Sequence, residues 1–232
     1  MEAPPRKLAV VLMSGGMDSA VTAALVRQQG YELAALHVTY GHRTANAERR
    51  AFEALCQFWN VQHRLVVSIE HLRVIGGSAL TDPTIPVPEG KLEREGIPPT
   101  YVPFRNANLL SIATSWAEVL GAAAIAIGAV EEDSSGYPDC RQVFYEAFQR
   151  VIDLGTRPET QIQLLTPVIH LRKHEIVATG HRLGVPFELT WSCYQREDIA
   201  CGECDSCLLR LRGFARAGIP DPLPYARQPV VG

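Results

Sequence analysis

Residues 10–21 read VVLMSGGMDSAV, an apolar run that breaks on two glycines and resumes with the composition of a helix. Glycines let backbone N–H groups approach an anion with no Cβ in the way, and a helix N-terminus adds the positive end of its dipole. Ser14, Gly15, Gly16, Met17, Asp18 and Ser19 are therefore candidates for gripping phosphate, with the hydroxyls of Ser14 and Ser19 as further donors. Asp18 is the odd member. A carboxylate in an anion nest repels its ligand unless it caps the helix or holds a cation such as Mg2+ between itself and the phosphates. The string has no Walker lysine and lacks GxGxxG spacing, so neither of those two loops is present. With no ligand at all, it would be a tight strand-to-helix turn.

A second cluster lies near the C-terminus, where WSCYQREDIACGECDSC places Cys193, Cys201, Cys204 and Cys207 within fifteen residues. Four thiolates close a tetrahedral Zn2+ shell with no open position, the pattern of a structural site. Gly202 eases the turn between ligands. An iron–sulfur cluster is the metal alternative, and redox pairs or free buried cysteines need no metal. Cys56 and Cys140 stand apart, and clustering of this kind points to metal in a reducing cytosol rather than to disulfides. Cys140 reads as a small buried hydrophobe.

These groups need a scaffold. Apolar runs at 8–13, 33–38, 63–68, 123–129 and 162–168 read as strands covered on both faces. Segments 19–29, 45–59, 106–120, 140–154 and 172–183 are helix-compatible, and LLRLRGF after the cysteines looks helical too. The alternation implies an α/β fold with an open parallel sheet flanked by helices. Residues 1–186 form the α/β domain, and 187–232 a small cysteine-bearing region packed on it. Residues 76–104 carry Pro83, Pro86, Pro88, Pro98, Pro99 and Pro103 with no period. A connection of that length is usually functional or disordered, here a lid, a pocket wall or a mobile linker. Residues 218–232, rich in proline, make an extended tail. Trp59 and Trp116 belong to the core. His42, His63, His71, His170, His174 and His181 lack ligand spacing and take no role.

The 232-residue chain is 47% hydrophobic and 20% charged with a net charge of −3, so it has no basic footprint for stable nucleic-acid binding. No apolar run approaches the roughly 18 residues of a membrane span. A cytoplasmic enzyme is expected.

The complete string SGGMDSAV after a buried strand resembles the PP-loop of ATP pyrophosphatases, a Rossmann-like superfamily that cleaves ATP between its α and β phosphates. GAVEEDSSGYPDCR (128–141), IPPTYVPFRN (97–106), TIPVP (84–88), TPV (166–168) and the four cysteines sharpen this. Together they resemble the 7-cyano-7-deazaguanine synthases of the queuosine pathway, over roughly residues 8 to 220. That resemblance implies adenylation of 7-carboxy-7-deazaguanine by ATP and displacement of AMP by ammonia, then activation of the amide by a second ATP and loss of AMP to leave the nitrile. It implies ATP and Mg2+ at Ser14–Ser19, structural Zn2+ at the cysteines, and a homodimer. Lys173 takes the family's lysine position and would neutralise phosphate, or is an exposed lysine. Arg105 would reach phosphate or substrate carboxylate, or pair on the surface. Asn106 would cap the next helix or bind ligand. Glu131, Asp133, Ser135, Tyr137, Asp139 and Arg141 would border the base pocket, with Asp139 alternatively a helix N-cap.

Several positions depart from the family pattern. YGHRT stands where YGQRH is typical, Phe104 where a small residue is common, Ser134 where an aromatic is usual, and Pro99 where a polar residue is common. If Phe104 and Ser134 face one pocket, bulk has moved from one wall to the other; if not, the substrate or amine acceptor has changed. A relative that joins the activated carboxylate to a protein amine in antiphage defence is the alternative. A zinc module that binds nucleic acid and a tRNA thiolase are further readings, which the acidic knuckle and the lack of paired catalytic cysteines disfavour.

Overall fold

The computed structural model describes residues 7–87, 96–131 and 136–227. Five strands, β1 (Leu8–Leu12), β2 (Glu32–Thr39), β3 (His63–Ser68), β4 (Ala124–Ile127) and β5 (Gln163–Leu165), form one sheet in the order β3-β2-β1-β4-β5. All pair in parallel, with Val10 of β1 opposite Ala34 of β2 and Ile125 of β4.

Period-two alternation divides the core. Ala9, Val11 and Met13 face one layer, with α1 (Met17–Gln28), α2 (Ala45–Phe58), α6 (Lys173–Arg182) and α7 (Asp205–Ala217) over them. Val10 and Leu12 face the other, under α4 (Arg105–Leu120) and α5 (Gln142–Gly155). β1 and β4 are buried nearly end to end, as a parallel sheet with helices on both faces requires. β3 departs from that expectation. As an edge strand it leaves its outward side chains wet, and Val66 is 38% exposed. β5 is shorter than the sequence suggests because the chain turns at once, with Ile169 N–H donating to the Thr166 carbonyl and Leu171 N–H to that of Val168.

After β3 the chain crosses to the far side of β1 to make β4. The loops after β1 and β4 therefore diverge and open a crevice at the carboxyl ends of the strands, where open α/β sheets bind ligands.

The long proline-bearing segment begins after a short helix, α3 (His71–Ile75), that the sequence pattern hides. Its described parts are a packed wall. Ser78, Ala79, Leu80 and Thr81 are buried, and Arg43 satisfies the carbonyls of Ala79, Asp82 and Ile85 at 3.0, 3.2 and 3.0 Å. Residues 88–95 lie outside the described residues. Beyond the cysteines, α7 packs on α6, and the tail returns so that Tyr225 bridges to Ala200. Among the described residues no helix is long and apolar enough to cross a membrane.

Candidate functional site

The loop between β1 and α1 holds its backbone amides open. Gly16 is the N-cap of α1 and supplies no side-chain acceptor, so the first-turn amides lack the usual cap. Gly15 adopts φ +87°, and a Cβ there would lie 2.4 Å from the Glu48 carbonyl oxygen, so α2 presses against the loop. Ser19 Oγ donates to the Gly16 carbonyl at 2.9 Å, and Ser14 Oγ lies 3.3 Å from it. Asp18 does not cap. Its two carboxylate oxygens accept from Lys173 Nζ at 3.1 and 2.9 Å, bringing together two residues 155 positions apart. Lys173 opens α6 and lies so close to α7 that a Cβ on Gly213 would stand 2.6 Å from its Cγ.

A feature that the motifs did not reveal sits opposite. Gly128, just past β4, has no room for a side chain: a Cβ would be 2.9 Å from the Asp18 carbonyl and the Ser19 nitrogen. Two strand ends and a helix start thus converge with only backbone between them.

From the loop a single cavity of about 300 Å³ runs to Arg105, Asn106, Thr100, Tyr137, Tyr40 and Tyr194. Arg105 starts α4. Its Nη1 donates to the Tyr40 hydroxyl at 3.2 Å, and its guanidinium lies 5.6 Å from the centre of that ring. Burial works against the Arg105 charge, but Tyr40 and its neighbours more than offset this and its pKa rises. Burial also pushes the phenols of Tyr40, Tyr137 and Tyr194 up, so this half of the cavity holds one fixed cation among neutral hydroxyls. Thr100 Oγ1 and the Tyr137 hydroxyl share a 2.7 Å hydrogen bond. Such a surface can receive a flat polar ligand with one anionic group. Below the loop, His37 is fully buried, with Nδ1 2.9 Å from the Met13 carbonyl. Burial lowers its pKa more than that contact raises it, so the ring is neutral and Nδ1 carries the donated proton.

Ser14, Gly16, Met17, Asp18, Ser19, Lys173, Arg105, Asn106 and Tyr137 all line the cavity. Asn106 Nδ2 is held by the Asp139 carbonyl at 2.8 Å and the Tyr145 hydroxyl at 3.2 Å. Asp139 is buried with its carboxylate accepting from Asn106 N–H at 3.0 Å, so it caps α4 from a neighbouring turn and stands behind the cavity wall. Cys140, a buried small residue as expected, forms part of that wall. Glu131 lies off the lining, 3.7 Å from His170 Nδ1, and Arg141 is exposed and donates to the Pro138 carbonyl. Asp133, Ser134 and Ser135 fall outside the described residues. Phe104 is 62% exposed and off the cavity, stacking edge-on against Phe144. Tyr40, Thr100 and Tyr194 line it from within quoted motifs in which they drew no notice, while Glu48 and Arg210 line it from outside every motif.

Cys193, Cys201, Cys204 and Cys207 are all buried, with their sulfurs within 4.8 Å of one another. Backbone N–H groups of Gln195, Arg196 and Cys201 point at the Cys193 sulfur, each at 3.4 Å, and that of Cys204 at the Cys201 sulfur, at 3.3 Å. Hydrogen bonds from the Cys204 and Cys207 thiols drive the Cys193 pKa down, and the same contacts push those two partners up. Four thiolates packed this closely would repel one another, and a divalent cation is what would hold them together. This is the donor set of a zinc knuckle. One contact ties the segment before it to the loop between β1 and α1. Trp191 N–H donates to the Gly15 carbonyl at 2.9 Å. Arg210, 1% exposed, pairs with Asp221 through two bonds of 2.9 and 3.0 Å and donates to Thr190 Oγ1 at 2.6 Å.

Residues 8–218 match the model of a family described as queuosine biosynthesis protein QueC. The 7-cyano-7-deazaguanine synthase of Chlorobium chlorochromatii is 58% identical over 95% of this chain and 97% of its own. That of Chloroherpeton thalassium is also 58% identical, over 95% and 98%. Among solved structures, a 4-thiouridine synthetase in complex with RNA and ATP is similar at a TM-score of 0.49 and 19% identity, covering 77% of this chain and 41% of that one. Matched by the family model over residues 8–218 and 58% identical to a relative over 95% of its length, the chain belongs to the QueC family of queuosine biosynthesis proteins.

Proposed function

We propose that the protein converts 7-carboxy-7-deazaguanine and ammonia to 7-cyano-7-deazaguanine in the cytoplasm, using two ATP. A carboxylate oxygen is a poor leaving group and AMP a good one, so the enzyme first adenylates the acid and releases pyrophosphate. Ammonia displaces AMP to give the amide. The amide oxygen is then adenylated in turn, and loss of AMP with the remaining N–H protons leaves the nitrile. The observation that carries this reading is the continuity of the cavity: the β1–α1 loop and the Arg105–Tyr137 half line one continuous space. Nucleotide and acid can therefore be held side by side in line for reaction.

The amides at the start of α1, with Ser14 and Ser19, hold the phosphates, and Lys173 neutralises charge on departing pyrophosphate. Asp18 fits a magnesium site, since its carboxylate is only part-buried and lines the cavity beside the loop; it would help hold a bound Mg2+, which would supply positive charge to offset the phosphates. Arg105 holds the substrate carboxylate until the adenylate forms. The four buried thiols fit Zn2+ in a closed structural site. The exposed face of α5, carrying Val143, Val151 and Leu154, fits a contact between two copies of the chain.

The test is mass spectrometry of products from purified protein, Mg-ATP, 7-carboxy-7-deazaguanine and ammonium. Nitrile with AMP supports the reading. AMP with only the amide, or with added mass on a protein, supports the amide-ligase alternative instead.

A further inference from the structure

Glu48 occupies the first turn of α2, outside every motif, yet it lines the cavity. Its own carbonyl abuts Gly15, so the side chain is fixed beside the phosphate loop, and only 17% of it is exposed. His42 backs it. The His42 side chain is 3% exposed and its Nε2 lies 3.1 Å from Glu48 Oε2. The His42 ring leans on Tyr40 with centres 4.3 Å apart, and Thr44 Oγ1 donates to Glu48 Oε1 at 3.3 Å. A carboxylate that is mostly buried, with His42 close to one oxygen and Thr44 bonded to the other, and that lines the cavity, suits a small cation. The other charges near it are Arg105, which the substrate carboxylate answers, and His37, which burial keeps neutral.

Resting on the function proposed above, we infer that Glu48 is the docking site for the ammonium substrate and takes its proton as the amide forms, with His42 as a positioning residue. Ammonium has no lone pair and cannot attack. One proton passes from NH4+ to Glu48, the freed lone pair makes the C–N bond, and the C–O bond to AMP breaks with its electron pair on the phosphate. The second proton leaves with AMP, so one acyl adenylate, one ammonium and one carboxylate give one amide, one AMP monoanion and one carboxylic acid. Burial opposes ionisation of Glu48, but His42 and Arg105 outweigh it and hold its pKa below the usual carboxylate value, so the carboxylate is charged when ammonium arrives. The same site accepts any compact protonated amine that fits, which makes it the place where ammonium is told from a larger amine.

The test compares three reactions of Glu48→Gln with those of the parent protein: exchange of labelled pyrophosphate into ATP in the presence of 7-carboxy-7-deazaguanine, amide formation from ammonium, and hydroxamate formation from hydroxylamine. Hydroxylamine is largely unprotonated at neutral pH and needs neither docking charge nor base. The kcat/KM for ammonium falls by about 100-fold, in line with general base catalysis, mostly through KM. Hydroxylamine and exchange each fall by less than about one tenth of that factor. Glu48→Asp, which keeps the charge, recovers ammonium use, and His42→Asn raises the ammonium KM with a smaller effect on kcat. Equal losses in all three reactions, or ammonium use that tracks exchange in every variant, overturn the assignment. Absence of exchange in the parent protein instead removes the adenylation reading, and this proposal with it.

Discussion

Asp18 places a carboxylate at the mouth of the proposed phosphate site, and Lys173 is what makes that tolerable. Removing either leaves the other unanswered where phosphate is proposed to bind. Lys173→Met and Asp18→Ala should each lower ATP-dependent pyrophosphate exchange by about 100-fold or more. The double variant should lose much less than the product of the two, because they act as one unit; full additivity would mean that the pair is incidental. His37 gives a prediction about stability. Its pKa lies below the ordinary value of about 6.5, so as acid is added the unfolded chain takes up the proton first. Stability is then fully present above about pH 6.5 and is lost below it, by up to about 1.4 kcal/mol per pH unit from this one group. Urea unfolding from about pH 7 down to about pH 5 should show a shallower fall in His37→Gln, and an unchanged slope would clear His37. At this scale legibility followed locality. Ser14 to Ser19 and the four cysteines announce themselves because neighbours in sequence share one ligand. Glu48 and Arg210 do not, since a glutamate in a helical turn looks like any solvated one until the sheet brings Gly15 against it.

The elements were legible where their pattern was long and apolar, and less so where backbone packing decides. β1, β2 and β4 followed from runs that only a doubly covered strand can carry, whereas α3 and the buried stretch 78–81 hid among prolines, their carbonyls satisfied by the distant Arg43. Gly128 shows the same limit: nothing in AIGAV says that α1 starts within van der Waals reach. Gly128→Ala should force β4 and α1 apart, costing about 1–3 kcal/mol of stability and weakening ATP binding more than binding of the deazaguanine. Thermal unfolding with and without each ligand separates the two effects, and equal weakening would count against the close approach. The C-terminal element is held by charge as well as by its cysteine cluster. Asp221→Ala leaves the buried Arg210 without its counter-ion and should cost about 3–5 kcal/mol in denaturant unfolding. A loss under about 1 kcal/mol would mean that water reaches the pair.

For the molecule as a whole, the open question is its outer face. On α5, Val143, Val151 and Leu154 are 59%, 59% and 84% exposed, and their spacing puts them within one stripe with Ala147. An apolar stripe of that kind on a helix normally has a partner. Sedimentation should show a dimer for the parent protein and a monomer for Val151→Asp. A dimer that survives the change would move the contact elsewhere. Chelation is the other whole-molecule test. Removing metal from the cysteines should release hydrogen-exchange protection first in residues 187–227 and at the phosphate-loop contact of Trp191, with β1 and β4 protected last.

Lys173 has almost no slack. Its stem lies over Gly213 on α7, a helix capped by Cys204 and anchored again at Cys207, while its tip reaches Asp18. A helix that drifts by the width of a methyl group thus withdraws the cation from Asp18 and from the proposed nucleotide site. Starvation for metal would accordingly be felt first as failing ATP turnover, in a molecule whose sheet is still intact, and supplying the ion again would restore the enzyme without any new synthesis of protein.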